Sequence, residues 1–276
     1  MIFLLIPLVL VILALVYWFG IRGRSGHPGL EVFHHWSFAH RGLHSDGVPE
    51  NSMAAFKAAK EGGYGVELDV HLLADGNLAV IHDSVLERVT GLPGTIEDLT
   101  TEQLKDYRLC GTNETIPQLR QVLDLFQGEA PLIVELKSAK NNHEALSKAV
   151  CQMLDEYNGP YCLESFDPRC ILWLRKNRPE LVRGQLSENY FVKDRPRIPV
   201  ILKFIMTHNL ANWLTRPDFV AYRYADRQCT VSNTLCLRRM SCVSWTLTTP
   251  QEYETAVKEG WIPIFEGFIP DPEGLK

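Results

Sequence analysis

The sequence has no run rich in lysine or arginine, no CxxC pair, no internal repeat and no low-complexity segment. Without a basic face there is nothing to track a polyphosphate backbone, which removes non-specific nucleic-acid binding. The net charge of −5 still accepts a small phosphate ester as ligand. The cysteines, at 110, 151, 162, 170, 229, 236 and 242, are odd in number and none pair at metal-ligand spacing. That pattern suits buried thiols in a reducing compartment, not a disulfide framework or a zinc site.

Charge is also missing from residues 1–21, which are rich in Leu, Ile and Val. As a helix they reach ~31 Å, the thickness of a bilayer's hydrocarbon. No basic residues precede this apolar core and no small-residue cleavage site follows it, unlike a cleaved signal peptide. Residues 1–21 are therefore predicted to be a single-pass transmembrane anchor. Tyr17 and Trp18 fall at the interface, and Arg22 and Arg24 hold the C-terminal side in the cytoplasm. The alternative is an apolar helix packed on a soluble domain. Residues 22–31, polar and glycine-rich, read as a linker. The folded domain is expected over 32–276.

What is present is enough apolar residue, 46% of 276, for one large core. Short apolar runs alternate with amphipathic stretches. Nine strand-like segments can be counted: 36–40, 65–70, 78–82, 132–137, 161–165, 181–185, 219–222, 242–246 and 262–265. Helices are predicted over 52–61, 95–107, 116–126, 142–156, 168–176 and 250–259. Asp75-Gly76 marks a turn between the second and third strands, whose relative direction stays open. The alternation suits a closed (β/α)8 barrel, in which functional groups gather where strands end and loops begin.

The chemistry concentrates between Phe38 and Asp83. Glu67 and Asp69 are two apart on one strand and so share a face. Glu135 is a third acid set in an apolar strand. Side by side, such carboxylates raise each other's pKa unless a cation lies between them. They are either ligands of a hard ion, Mg²⁺ or Ca²⁺, or structural partners of Lys137 or Arg41. His40 and His82 end apolar strands and suit proton transfer. Arg41 offers a planar fork to a phosphate and Lys137 a point charge. His71, in phase with Glu67 and Asp69, is a reserve candidate. His34, His35, His44, His143 and His208 read as structural or surface groups.

The ordered motifs His40-Arg41-Gly42, Pro49–Ser52, Glu67–Val70, Asp75-Gly76, His82-Asp83, Ile116–Leu119, Glu135–Lys137, Ser165–Asp167 and Trp245-Thr246 resemble the glycerophosphodiester phosphodiesterase family. The resemblance covers residues 37–269. It implies a TIM-type α/β barrel of the phosphodiesterase/phospholipase C-like kind, hydrolysing glycerophosphodiesters to glycerol 3-phosphate and an alcohol with one divalent cation. Carried over by position, Glu67, Asp69 and Glu135 match metal ligands and His40 and His82 the acid/base pair. Arg41 and Lys137 match phosphate contacts, Trp245 a ring lining the glycerol pocket, and Glu50 an acid orienting the first histidine. The attacking group is either the substrate's own glycerol hydroxyl or water.

Two departures from the family's pattern concern the substrate end. The closing segment is Ile262–Phe268 in place of an Ile-Ile-Thr-Asp-like run, and Thr248 stands where relatives often have Asn. With an apolar mouth at Phe265, Phe268 and Ile269 beside a membrane anchor, a lysophospholipase D acting on bilayer lipids is an alternative. A catalytically inactive barrel serving as scaffold or sensor is a third reading, from another class.

Overall fold

In the computed structural model, residues 2–24, 26–192, 198–230, 237 and 239–271 are described. After helix α1 (Ile2–Gly20) and a 3-10 helix (Pro28–His35) come β1 (Phe38–His40), α2 (Met53–Glu61), β2 (Gly65–Leu72) and β3 (Leu78–Val80). Then follow α3 (Glu87–Thr90), α4 (Leu119–Phe126), β4 (Leu132–Leu136), α5 (His143–Leu154), β5 (Tyr161–Ser165), α6 (Pro168–Asn177) and β6 (Arg183–Ser187). Helices α7 (Val200–Thr207) and α8 (Asn212–Thr215) lead to β7 (Phe219–Arg223) and β8 (Ser241–Leu247). Helix α9 (Pro250–Lys258) and β9 (Ile262–Phe265) close the fold.

Eight parallel strands close a barrel in the order β1-β2-β4-β5-β6-β7-β8-β9, with β9 returning to pair with β1. Strand β3 is outside this ring and antiparallel to β2, joined through Gly76 at φ +85°. The alternation of side chains across each strand gives the barrel two chemistries. Low in the interior sit Phe38, Ile133, Cys162, Phe219, Val243 and Ile264, all buried. One or two steps up the same faces come His40, Glu67, Asp69 and Glu135. Outside the strands, the apolar stripes of α2, α4, α5 and α6 complete the larger core.

Several expectations are corrected here. The described residues of 22–31 are not a loose linker. Arg24 clasps Asp218 through Nε and Nη2 at 2.6 and 2.8 Å, and Leu30 and Phe33 are buried against the floor of the barrel. The apolar side chains of this segment gain more from that floor than from water, so the domain begins ahead of Val32. Residues 95–107 form two 3-10 turns, Ile96–Asp98 and Glu102–Asp106, not one helix. Helix α4 begins at Leu119, not at 116, because Pro117 biases Ile116 away from helical geometry and Gln118 takes the N-cap. The third strand stops at Val80, short of His82.

The six described free cysteines match the expectation of thiols, four of them buried; Cys236 lies outside the described residues. Ile2–Gly20 do form a helix, but among the described residues no helix is long and apolar enough to cross a membrane. The described part leaves Leu8, Leu10 and Leu13 at 55%, 61% and 57% exposure.

Phe33 is the plug of the barrel floor, stacked at 5.8 Å on Phe38 and 1% exposed. Phe33→Ala is expected to lower unfolding free energy by about 3–5 kcal/mol, measured by chemical denaturation.

Candidate active site

The carboxyl ends of the barrel strands carry the titratable groups. Asp69 pairs in register with Glu135, and Glu135 with Glu164 on β5. Glu67 sits one step lower beside His40. Carboxylate oxygens of Glu67, Asp69 and Glu135 all lie within 4.8 Å of one another, and all three residues are buried. Burial pushes the Glu67 carboxyl well above the usual range, with repulsion from Asp69 and Glu135 added. Glu135 is raised to about 7, again by burial, the pull of Lys137 notwithstanding. Burial acts on Asp69 as well, but Lys137, His82 and Arg41 outweigh it and hold that carboxyl below its ordinary value. The Lys137 ammonium lies 3.0 Å from Asp69 Oδ1 and 2.8 Å from Glu135 Oε1. Both sequence alternatives, ligand set and ion-pair network, are thus compatible with one cluster.

The donor set fits a hard cation. It offers only oxygens, and two of its three carboxyls are destabilised as anions. Asn51 donates from Nδ2 to the other oxygen of Asp69 at 2.8 Å, fixing the orientation of that carboxylate.

The His40-Arg41-Gly42 turn is built on left-handed backbone, with φ +55° at Arg41 and +79° at Gly42. A Cβ at Gly42 meets the backbone carbon of Ala55 at 2.8 Å, so this position requires glycine on two counts. The turn brings the Arg41 amide to Glu67 Oε2 at 3.2 Å and its guanidinium Nε to 3.3 Å from Asp69 Oδ2. Strain of this kind at a non-glycine residue is characteristic of functional sites.

Each expected histidine has a carboxylate on Nδ1. His82 is bonded to Asp83 at 2.7 Å and His40 to Glu266 at 2.5 Å. His40 Nε2 is 3.9 Å from Glu67 Oε2. Burial lowers the pKa of both rings, that of His82 to about 4, with Lys137 and Arg41 opposing its proton as well. Glu266 is held down to about 2 by its hydrogen bond from His40. A cleft of about 450 Å³ opens on this face, lined by Arg41, His71, His82, Glu135, Lys137 and Trp245, among others.

Some assignments move. Glu50 does not touch His40. It accepts from Arg41 Nη1 at 2.9 Å and from Arg88, which also holds Asp83, so its work is to fix the arginine. The partner of His40 is Glu266, in the very segment that departs from the family's pattern, because β9 docks beside β1. His44, read as a surface group, lies 3.6 Å from Glu266 Oε1. His71 does face the cleft, but its Nδ1 is committed to buried Glu97 at 2.6 Å. Phe265 lines no mouth: it is buried outside the barrel against Tyr64, with Phe268 packed on it. The apolar wall of the cleft is Trp245 with Phe166, edge to face at 5.5 Å.

Glu164 was not anticipated at all. It is 1% exposed, and burial with repulsion from Glu135 drives its carboxyl well above the usual range. Its place at an even step from Cys162 on an interior face was the available signal.

Three acids, two carboxylate-backed histidines, an arginine and a lysine thus meet at the mouth of one parallel (β/α)8 barrel. The sequence profile of the glycerophosphoryl diester phosphodiesterase family matches residues 40–269, and the chain belongs to that family. It is 36% identical over 162 residues to a glycerophosphodiester phosphodiesterase of Caldanaerobacter subterraneus subsp. tengcongensis, covering 54% of this chain and 65% of that protein. To human glycerophosphodiester phosphodiesterase 1 it is 28% identical, over 82% of this chain and 76% of the relative. In three dimensions it is similar to an Oleispira antarctica phosphodiesterase solved with its product sn-glycerol-3-phosphate. That likeness has a TM-score of 0.69 and 22% identity, and covers 87% of this chain and 94% of the other. The match thus spans just under two thirds of the length of the Caldanaerobacter relative.

The repulsion inside the cluster has a measurable sign. A carboxyl with a raised folded-state pKa costs stability as pH climbs from the unfolded value to the folded one. In chelator, Glu135→Gln is expected to match the native chain near pH 4. It should then gain a relative advantage between about pH 4.5 and 7, on the order of 1–3 kcal/mol. Denaturation at a series of pH values reads it.

Proposed function

We propose that the chain hydrolyses glycerophosphodiesters to glycerol 3-phosphate and an alcohol. The observation that carries this reading is the convergence of Glu67, Asp69 and Glu135 within 4.8 Å at a barrel mouth, flanked by His40 and His82. In this reading the three carboxylates hold one divalent cation, Mg²⁺ or Ca²⁺. When bound, that ion neutralises negative charge on the phosphoryl oxygens. Arg41 and Lys137 bind the phosphate from the protein side, and Trp245 with Phe166 covers the glycerol moiety.

His40 and His82 divide the proton work. With Nδ1 donating to Glu266, His40 presents Nε2 as acceptor of the attacking group's proton. His82, kept neutral in the free protein by burial and by Lys137 and Arg41, regains a proton when the anionic diester offsets those cations. It then protonates the leaving oxygen. Arg88 and Glu50 keep Asp83 and Arg41 in place for this exchange.

We also propose that α1 anchors the chain in a membrane, with Arg22 and Arg24 keeping the barrel on the cytoplasmic side. Its support is an apolar surface exposed along the described helix, from Ile6 to Phe19. Together with the apolar wall of Trp245 and Phe166, this favours lysophospholipids as a second substrate class.

Three measurements test the reading. Removing divalent ions should abolish release of alcohol and glycerol 3-phosphate, with Mg²⁺ or Ca²⁺ restoring it. His40→Ala should reduce kcat at least about 100-fold; unchanged turnover overturns its role. Glu266→Gln should lower kcat about tenfold with KM little changed and alter the acidic limb of the pH profile, since it orients an imidazole and touches no substrate.

A further inference from the structure

Among the described residues, several helices that ring the barrel follow one rule and the α7–α8 flank departs from it. On α2, α5 and α9 the outward positions are charged, for example Lys57, Glu144 and Glu254, as expected of a face turned to water. In the fifth unit, after β6, the pattern is reversed. Helix α7 turns Val200, Ile201 and Phe204 outward at 71%, 65% and 47% exposure. Helix α8 does the same with Trp213 and Leu214 at 44% and 63%. From Ile198 to Pro217 the sequence holds no aspartate or glutamate.

This flank is continuous with α1. Gly20 packs so tightly on Trp213 that a Cβ there falls 1.3 Å from the indole nitrogen. Asn212 Nδ2 donates to the carbonyl of Ile21 at 3.0 Å, and Arg216 Nη1 to those of Phe19 and Arg22 at 3.0 and 2.8 Å. Around the joint lie Arg22, Arg175, Arg216 and Arg239, the last with its guanidinium 4.0 Å over Trp18. Their principal acidic neighbour, Asp218, is buried and already held by Arg24. Apolar surface fringed by cations and aromatic rings is the composition that lies in a lipid interface.

The band also has a direction. Helix α8 sits at the floor of the barrel, with Arg216, Pro217 and Asp218 between it and β7. Exposed Phe191 and Val192 follow β6 at the mouth, a few residues past Glu188, which lines the cleft.

We propose that the α7–α8 flank is a second membrane-contact surface, on which the barrel lies sideways against an anionic bilayer. The cleft then opens at the headgroup layer, where a lipid-derived diester enters from the membrane plane. This rests on the reading of α1 as a membrane anchor, and the test separates the two.

A photo-crosslinking residue is placed singly at Val9, Phe204, Leu214 or Lys57 in the full chain, reconstituted in vesicles of phosphatidylcholine and phosphatidylglycerol. All four positions are exposed, so folding is retained. Lipid adducts are expected at 9, 204 and 214 and not at 57, across the barrel on α2. Adducts at 9 alone leave the anchor standing and overturn the flank. Their absence at both 9 and 204 overturns both readings. Adducts from 204 to a second copy of the chain, or to α1, assign the flank to protein and overturn the proposal. Replacing phosphatidylglycerol by phosphatidylcholine should lower the yield at 204 more than at 9, because the fringe of arginines no longer meets anionic headgroups.

Discussion

Four carboxyl groups share the upper interior of this barrel: Glu67, Asp69, Glu135 and Glu164, none more than 6% exposed. An ionised carboxylate taken out of water costs several kcal/mol even after the protein relaxes. Most of the polar architecture at the mouth answers that cost. Lys137 bridges two of the acids, Arg41 leans over a third contact, and Asn51 spends its amide on Asp69. For Glu164, burial and repulsion from Glu135 outweigh the pull of Lys137 and push it toward its neutral form. Two cations among four acids leave a site with more negative charge than it can comfortably hold, which is the electrostatic condition for taking up a metal ion.

The floor of the barrel makes that tension tolerable. Phe33 and Leu30 close it from below, and the lower interior is apolar on strand after strand, so the acids are held by walls that do not yield. Stability is concentrated at one end and chemistry at the other, each strand contributing to both through the same alternation.

How much of this was legible depended on distance along the chain. Glu67 and Asp69 could be placed on one face from their spacing alone, and Glu135 followed from an acid isolated in an apolar strand. Closure of the barrel was foreshadowed by the strand count. The links that span the closed ring were not. Nothing local connects Glu266 with His40, which are 226 residues apart, and a resemblance of motifs pointed to Glu50 instead. Arg88 and Glu97 were equally silent, since each acquires its meaning only from the loop packed against it. The two 3-10 turns at 96–106 were misread as a helix because tertiary contacts of Ile96 and Leu104 overrode periodicity.

The meeting of β1 with β9 has a consequence for when the protein becomes competent. A nascent chain leaving the ribosome carries His40 early, yet the carboxylate that orients its ring arrives with the last strand. Until that strand docks, the imidazole is free to swing. The two ends of the ring must therefore meet before the His40 imidazole is held in one orientation.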